Sequence, residues 1–276
     1  MKQDPRTIVN TNEDHTFNKP TGTVVKPTTQ KLYNLQWIRD KKDNRDYLYL
    51  ANGTRVSNRV DLRNFCSPIE NQGSLGSCTG QAIAGAIELL NKRNGKYSDI
   101  SRLFIYYFER LLLGTVSYDS GAYIRDGIKS VSRYGASLER LWPYIVSKFK
   151  QRPLTEAIND ALNRKVTRYE RVVNHDGCID ALNNGYPIII GFDVYPSFYR
   201  INRTGIMTYP NKRQERLLGG HAVLIVGYDA VMQHYIVRNS WGTGWGDKGY
   251  FYMPFSVIQD TSMSNDFWII KEVSNP

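Results

Sequence analysis

The run Cys78–Leu90 has almost no polar face. Ala82, Ala86 and Leu89 share one stripe of a helix at the i, i+4, i+7 spacing, and Ile83, Ile87 and Leu90 share the stripe beside it. Gly80, Ala84 and Gly85 complete a small-sided, nearly all-apolar helix. Such a helix must be buried, so the rest of the chain has to cover it. Ser77 or Ser74 is placed to cap its start. The 276 residues suffice for one large domain or two lobes around that helix. With 41 % hydrophobic and 22 % charged residues, the chain is neither a disordered tail nor a coiled coil.

The first half of the globular part reads as helical. Ile100–Leu113 and Ile124–Tyr134 have helical patterns, Gly135 ends the second, and Thr155–Asn163 fits a short helix. The second half reads as strands: Ile188–Val194, Ala222–Tyr228, Tyr235–Asn239 and Tyr250–Met253, punctuated by Gly and Pro. Helices followed by strands predict an α+β fold with two lobes. Ahead of this, residues 1–30 are polar, carry Pro20 and Pro27, and have no period, so they read as extended or disordered. Residues 32–50 hold Leu32, Tyr33, Leu35, Trp37, Ile38, Tyr47 and Tyr49. That is too apolar for a free linker, and the segment is expected to dock. Ala51–Asn58 reads as a turn-rich joint. The division is an N-terminal extension over 1–59 and a globular domain over 60–276.

Composition excludes several classes. Mean hydropathy is −0.46, and no apolar run nears the roughly 18–20 residues of a spanning helix, so no membrane partner is expected. The first residues, Met1–Asn10, lack the apolar core of a secretory signal, which points to an intracellular protein. The net charge of +10 could mean nucleic acid, but residues 1–59 hold 11 Lys/Arg against 6 Asp/Glu, and the remaining basic excess is spread over the rest. The run Arg39–Asp46 mixes both signs, and no aromatic-basic motif appears, so no specific nucleic acid is expected. Cys66, Cys78 and Cys178 are an odd number, which rules out a disulfide scaffold. His175 and Cys178 are three apart, but two ligands do not make a metal site, and no metal or cofactor is expected.

Three stretches carry chemistry. In the first, Gln72-Gly73-Ser74-Leu75-Gly76-Ser77-Cys78, a glycine-rich turn feeds a thiol into the first turn of the buried helix. Free backbone N–H groups and the helix dipole favour an anion there, so the thiol is expected to have a lowered pKa and to act as a nucleophile. The second, Gly219-Gly220-His221-Ala222, opens a strand, and the third, Arg238-Asn239-Ser240-Trp241-Gly242, closes the next. Between them, two apolar runs around the polar tip Asp229–His234 read as a hairpin. If Tyr228 faces His234, Asn239 lies opposite Val223, on the face of His221 and one step along. An Asn that accepts from one ring N–H fixes the tautomer and leaves the other nitrogen for a thiol.

At these stretches the sequence resembles papain-type cysteine peptidases, the family of the cysteine cathepsins, over residues 60 to about 270. Val60-Asp61-Leu62-Arg63 looks like the start of the mature enzyme. Asn71-Gln72-Gly73 with Gly76-Ser77-Cys78 matches the nucleophile loop, and Gly219–Val223 matches the His block. Asn239-Ser240-Trp241-Gly242-Thr243-Gly244-Trp245-Gly246 matches the Asn block. His221 follows Cys78 by 143 residues and Asn239 follows it by 161. The resemblance implies a helical lobe and a β-barrel-like lobe with the active-site cleft between them. By position it implies Cys78 as nucleophile, His221 as general base and then acid, and Asn239 as the residue that orients His221. Trp241 would shield that hydrogen bond, and the Gln72 side chain with the Cys78 N–H would form the oxyanion hole. Ser120-Gly121-Ala122 would hydrogen-bond the substrate backbone. Gly191, Gly220 and Ala222 would line the pocket for the second residue before the scissile bond, with room for a bulky apolar or aromatic side chain.

The resemblance has departures. Leu75 stands where the family carries a cysteine, the Tyr118–Gly121 region lacks the partner cysteine, and Thr79 replaces a tryptophan. Loss of both halves of that bridge suits a reducing compartment or an unusual lineage. Trp37-Ile38-Arg39-Asp40 with Asp43–Tyr47 looks like the short leader of cysteine-poor members in bacteria, archaea and large DNA viruses, the last allowing a virion-associated protein. The expected activity is cleavage of polypeptide substrates through a thioester acyl-enzyme, by an endopeptidase made as a zymogen with its own N-terminal segment as inhibitor; the other reading of residues 1–59 is a retained arm that packs on the body. The alternatives are a non-catalytic peptide binder and an acyl transferase or ligase using the same triad.

Overall fold

The computed structural model describes residues 33–51, 53, 56–201 and 203–274. The expectations for residues 1–30 lie outside them, as does part of the 51–58 joint. In chain order the elements are β1 (Trp37–Ile38), β2 (Arg59–Asp61), α1 (Cys78–Arg93), α2 (Arg102–Leu113), β3 (Ala122–Tyr123), α3 (Ile124–Tyr134), α4 (Thr155–Ala161), β4 (Val166–Val172), α5 (His175–Asn183), β5 (Ile188–Val194), α6 (Pro196–Tyr199), β6 (Gly219–Asp229), β7 (His234–Arg238), β8 (Tyr250–Pro254), α7 (Phe255–Gln259) and β9 (Ser264–Val273).

Helix α1 is buried from Cys78 through Asn91, as its small side chains require. A Cβ on Gly80 would lie 2.9 Å from the Arg102 carbonyl oxygen of α2, and one on Gly85 would lie 3.4 Å from Leu224 of β6. The glycines therefore let α2 close on one side of α1 and the sheet on the other. Helix α2 starts at Arg102 because Ser101 caps it, its hydroxyl accepting from the Phe104 N–H at 3.1 Å. Helix α3 ends at Gly135, whose φ of 80° suits glycine. A Cβ there would also strike the Ala161 carbonyl at 1.8 Å.

The main sheet runs β4-β9-β5-β6-β7-β8, with β2 added on β6. Its pairings are antiparallel; β6–β7 is a hairpin with a short connection, whereas β4–β9 and β2–β6 join strands far apart in sequence. Strands β4 and β9 and helix α5 were not among the expected elements. Strand β4 reads Val-Thr-Arg-Tyr-Glu-Arg-Val, and its charges are held by partners: Arg168 pairs with Glu170 at 2.8 Å, and Arg171 pairs with Asp266 at 3.0 Å. Phe267–Ile270 is a short apolar run whose burial between β4 and β5 shows only in three dimensions.

Residues 33–49 do dock, as their apolar content predicts. Tyr33–Pro276 forms one compact unit. Trp37 and Tyr49 are each 6 % exposed. The Asp40 carboxylate accepts from the Trp268 indole at 2.8 Å and from the Arg125 N–H at 3.3 Å, while its own N–H donates to Asp266 at 2.7 Å. Arg125 also bonds the Lys41 carbonyl and Asp46, both at 2.6 Å. The Tyr49 hydroxyl donates to Asp180 at 2.5 Å.

Candidate active site

The nucleophile turn is tied to the Asn block before it reaches α1. The Gln72 N–H donates to the Ser240 carbonyl at 2.8 Å, and the Ser240 hydroxyl donates to Gln72 Oε1 at 2.7 Å. That fixes the amide so that Nε2 is the outward donor. It reaches the Leu75 carbonyl at 3.0 Å and the Asn34 carbonyl at 3.4 Å. Ser77 sits at the N-cap of α1, but its hydroxyl pairs with the Tyr144 hydroxyl at 2.5 Å and does not cap the helix. Cys78 follows at the first helical position, fully buried. The backbone N–H groups of Ala222, Gln36 and Thr79 lie near enough to favour its anion.

Strand β6 brings the residue after His221 close to Cys78, since the Ala222 N–H is among the groups that favour the thiol's anion. In the β6–β7 hairpin Tyr228 pairs with Tyr235, one position from the expected register. A β-bulge between Ile225 and Gly227 removes the offset, so Leu224 faces Arg238 and the strand ends with Asn239 beside His221. His221 Nε2 lies 2.8 Å from Asn239 Oδ1. The Ser240 N–H also donates to that Oδ1, at 2.8 Å, which fixes it as the acceptor and Nε2 as the protonated ring nitrogen. Nδ1 has no hydrogen-bond partner among the described residues. Trp241 stacks on the imidazole at 4.9 Å and 28°. Tyr33 stacks on Trp241 at 4.4 Å and 3°, so the imidazole–amide pair is roofed by aromatic rings.

The segment before β2 fills the cleft. Strand β1 pairs in parallel with β3, and the Ala122 N–H donates to the Gln36 carbonyl at 3.3 Å. A Cβ on Gly121 would lie 1.8 Å from that carbonyl, and its φ of 69° also suits glycine. The Trp37 indole occupies the pocket walled by Gly191 and Gly220, where a Cβ would come within 1.9 Å and 2.6 Å of the ring. Ala222, buried, pairs with Gly191 across β5 and β6. Ser120 differs from its neighbours: its hydroxyl bonds Thr115 at 2.7 Å and the Gly121 carbonyl at 2.9 Å, within its own loop.

This cover reverses the expected electrostatics of the thiol. Burial pushes the Cys78 thiol up to about 11, against the N–H groups that favour its anion. Burial likewise drives the His221 imidazole down to about 4, against its bond to Asn239. Both groups are neutral at pH 7 while the segment is in place. Thr79, where the resemblance expects tryptophan, instead donates to Glu109 at 2.7 Å, a carboxyl that burial raises to about 8. Cys66 and Cys178 are buried free thiols, so no bridge joins them.

The sequence pattern of the papain family cysteine proteases matches residues 56–270. The chain belongs to the papain family of cysteine proteases. An uncharacterised peptidase C1-like protein of Acanthamoeba polyphaga mimivirus is 42 % identical over 230 residues, covering 79 % of this chain and 73 % of that protein. A cathepsin L-like proteinase of Fasciola hepatica is 30 % identical over 219 residues, 74 % of this chain and 62 % of its own length. Among solved structures, xylellain, a cysteine protease from Xylella fastidiosa, superposes with a TM-score of 0.81 at 37 % identity, over 90 % of this chain and 99 % of its own. As a papain-type cysteine peptidase with the α+β papain fold, the chain brings Gln72, Cys78, His221 and Asn239 to one place. The structure adds Ser240, which bonds both Gln72 and Asn239. Its adjacency to Asn239 was visible in the sequence, but nothing in the spacing showed its hydroxyl reaching Gln72.

Proposed function

We propose that this family member is an endopeptidase made in a self-blocked form, with Cys78, His221, Asn239 and Gln72 as its catalytic residues. The observation that carries the reading is the His221–Asn239 bond of 2.8 Å beside a sulfur at a helix start. Once the cleft is open to water, the Cys78 thiol passes its proton to His221 Nδ1 and the thiolate attacks the substrate carbonyl carbon. The oxyanion accepts hydrogen bonds from Gln72 Nε2 and the Cys78 N–H. The tetrahedral adduct collapses, the C–N bond breaks, and the amine leaves with the proton from His221. Water then gives a proton to His221 and its oxygen to the thioester carbon, releasing the acid and the thiol. Asn239 holds the ring through Nε2–H throughout.

The direction of residues 33–39 supports the self-blocked form. A substrate puts the residues before its scissile bond toward Gly191, Gly220 and Ala222, and runs from there to Cys78. The covering segment does the reverse: Asn34 lies at Gln72, and Trp37, later in the chain, fills the pocket. It occupies the cleft with its polarity inverted, so no peptide bond is presented for attack. Of the other described histidines, His175 is bonded to Tyr235 at 2.7 Å and His234 stacks on Tyr252 at 5.0 Å. Neither closes one end of the cleft, which supports internal cleavage over trimming from an end.

The test is labelling by an epoxide thiol inhibitor and cleavage of a fluorogenic peptide, before and after trimming to about Val60. The trimmed protein is expected to label and cleave, the full-length protein to do neither at a comparable rate, and Cys78→Ala to remove both signals. Full activity of the uncut chain would refute the blocked form. Labelling without cleavage would favour a non-catalytic binder, and aminolysis products with an added amine would favour a transferase.

Blocking should also depend on pH. Burial, and then the neighbouring Asp266, raise Asp40 to about 7, against the indole of Trp268 and the charge of Arg125. Asp46 and Arg171 complete the cluster that faces it. When the segment lifts away, Asp40 returns toward the ordinary aspartate value near 4. The docked state therefore binds the extra proton. Its contribution is complete below about pH 4 and is lost as pH rises through about 7. Nicking of residues 33–49 by an added protease should be faster at pH 8 than at pH 5.5, after correction for that protease's own profile. Asp40→Asn should flatten the difference.

A further inference from the structure

We propose that one water molecule, held between Gln81 and Asn239, ties the amide that orients His221 to the helix that carries Cys78, which makes Gln81 a positioning residue. That role rests on the peptidase reading above; the water site does not. Gln81 lies one turn on from Cys78 in the buried helix α1, where its N–H donates to the Ser77 carbonyl at 3.0 Å. Other polar side chains of this helix have partners: Thr79 donates to Glu109 at 2.7 Å, and Glu88 accepts from the Ser67 hydroxyl and the Ile100 N–H. The Gln81 side chain is 6 % exposed, and neither atom of its amide has a hydrogen-bond partner among the described residues. The Tyr144 hydroxyl lies beside it but is engaged with the Ser77 hydroxyl at 2.5 Å and the Gln72 carbonyl at 3.0 Å.

Asn239 has the same deficit on the other side. Its Oδ1 is doubly engaged, by His221 Nε2–H and by the Ser240 N–H. Its Nδ2 carries two protons and has no partner among the described residues, although Asn239 is buried. Buried amides are satisfied by protein or by ordered water, because an unpaired donor has lost its hydration for nothing.

A cavity of about 10 Å³, the room that one water molecule takes, is lined by both amides. Ser240, Arg238 and Glu70 complete its polar wall, and each is spent elsewhere. The Ser240 hydroxyl donates to Gln72 Oε1, Arg238 donates to the carbonyls of Ser67 and Pro68, and Glu70 accepts from Arg102, all at 2.7 Å. Gln81 and Asn239 are the groups left to hold the water, which accepts from Asn239 Nδ2 and donates to Gln81 Oε1. Accepting from Nδ2 polarises the amide, so Oδ1 becomes a better acceptor for His221 Nε2–H. The bridge also joins the two halves of the site from behind. Gln81 moves with Cys78 and Asn239 moves with His221, so the water helps to fix the imidazole against the sulfur.

The test has two arms. In a crystal structure of the full-length chain, at a resolution that places ordered waters, one water is expected within hydrogen-bond distance of both Asn239 Nδ2 and the Gln81 amide. A direct bond between the two amides, or no water between them, overturns the proposal. In the second arm the full-length chain and its Gln81→Met variant, which keeps the volume and removes the amide, are activated by limited proteolysis, counted by epoxide titration and assayed on one fluorogenic peptide. The variant's kcat is expected to fall about tenfold per titrated site, with KM unchanged. An unchanged kcat overturns the positioning role, and so does a loss carried by KM. The crystal structure alone decides if the variant does not fold. Failure of the peptidase reading looks different: the wild-type chain then cuts no peptide, while the water still stands between the two amides.

Discussion

Replacing Trp37 with alanine in the full-length chain is expected to raise peptidase activity by about a hundredfold without any cut in the polypeptide. The indole fills the pocket between Gly191 and Gly220 and is 6 % exposed. Truncating a buried tryptophan costs about 3–5 kcal/mol. Here the cost falls on the docked state alone, since the side chain is free in water once the segment lifts. Each 1.4 kcal/mol is about a factor of ten, so opening becomes easier by about a hundredfold to a few thousandfold. The lower figure is the better expectation, because the anchors at Asp40, Asp46 and Tyr49 are untouched. Initial rates on a small peptide, with intact mass taken at the end of the assay, check it. A rate equal to wild type would mean that docking does not limit access to Cys78.

Gln72→Ala is expected to lower kcat by about 10²–10³ in the trimmed enzyme, with folding intact. The side chain is fully buried and oriented from behind by Ser240, so in the proposed mechanism its loss removes a preorganised donor to the oxyanion. Ser240→Ala should cost less. It leaves the donor present but frees the amide to rotate, a loss nearer tenfold. The two variants together should be little worse than Gln72→Ala alone, because Ser240 acts through Gln72. Single-turnover rates with the epoxide-titrated enzyme separate these cases. A wild-type rate for Gln72→Ala would remove it from the mechanism.

The site was more legible than the sheet. Cys78 announced itself because a glycine-rich turn opened a helix with no polar face. The pairing of His221 with Asn239 followed from hairpin arithmetic, although Tyr228 pairs one residue away from the expected partner and only the bulge before Gly227 restores the register. A bulge leaves no mark in apolar alternation. Strand β4 escaped notice because its charges are met only in the fold, Arg168 by Glu170 within the strand and Arg171 by the distant Asp266. The Cys78 thiol was expected low because the helix start is local. It stands high because it is fully buried, and burial outweighs the N–H groups of Ala222, Gln36 and Thr79 that favour its anion. The apolar content of residues 32–50 showed that the segment docks, but not where or in which direction.

In the self-blocked form proposed above, the covering segment and the cleft belong to one polypeptide, so the block would be a unimolecular equilibrium, sustained by an effective concentration in the millimolar range for a short tether. A single break after Tyr49 turns it into a bimolecular one. At nanomolar enzyme the freed strip of residues 33–49 then diffuses away and does not return in useful amounts. On that proposal the tether, more than any individual contact, would make activation a one-way event.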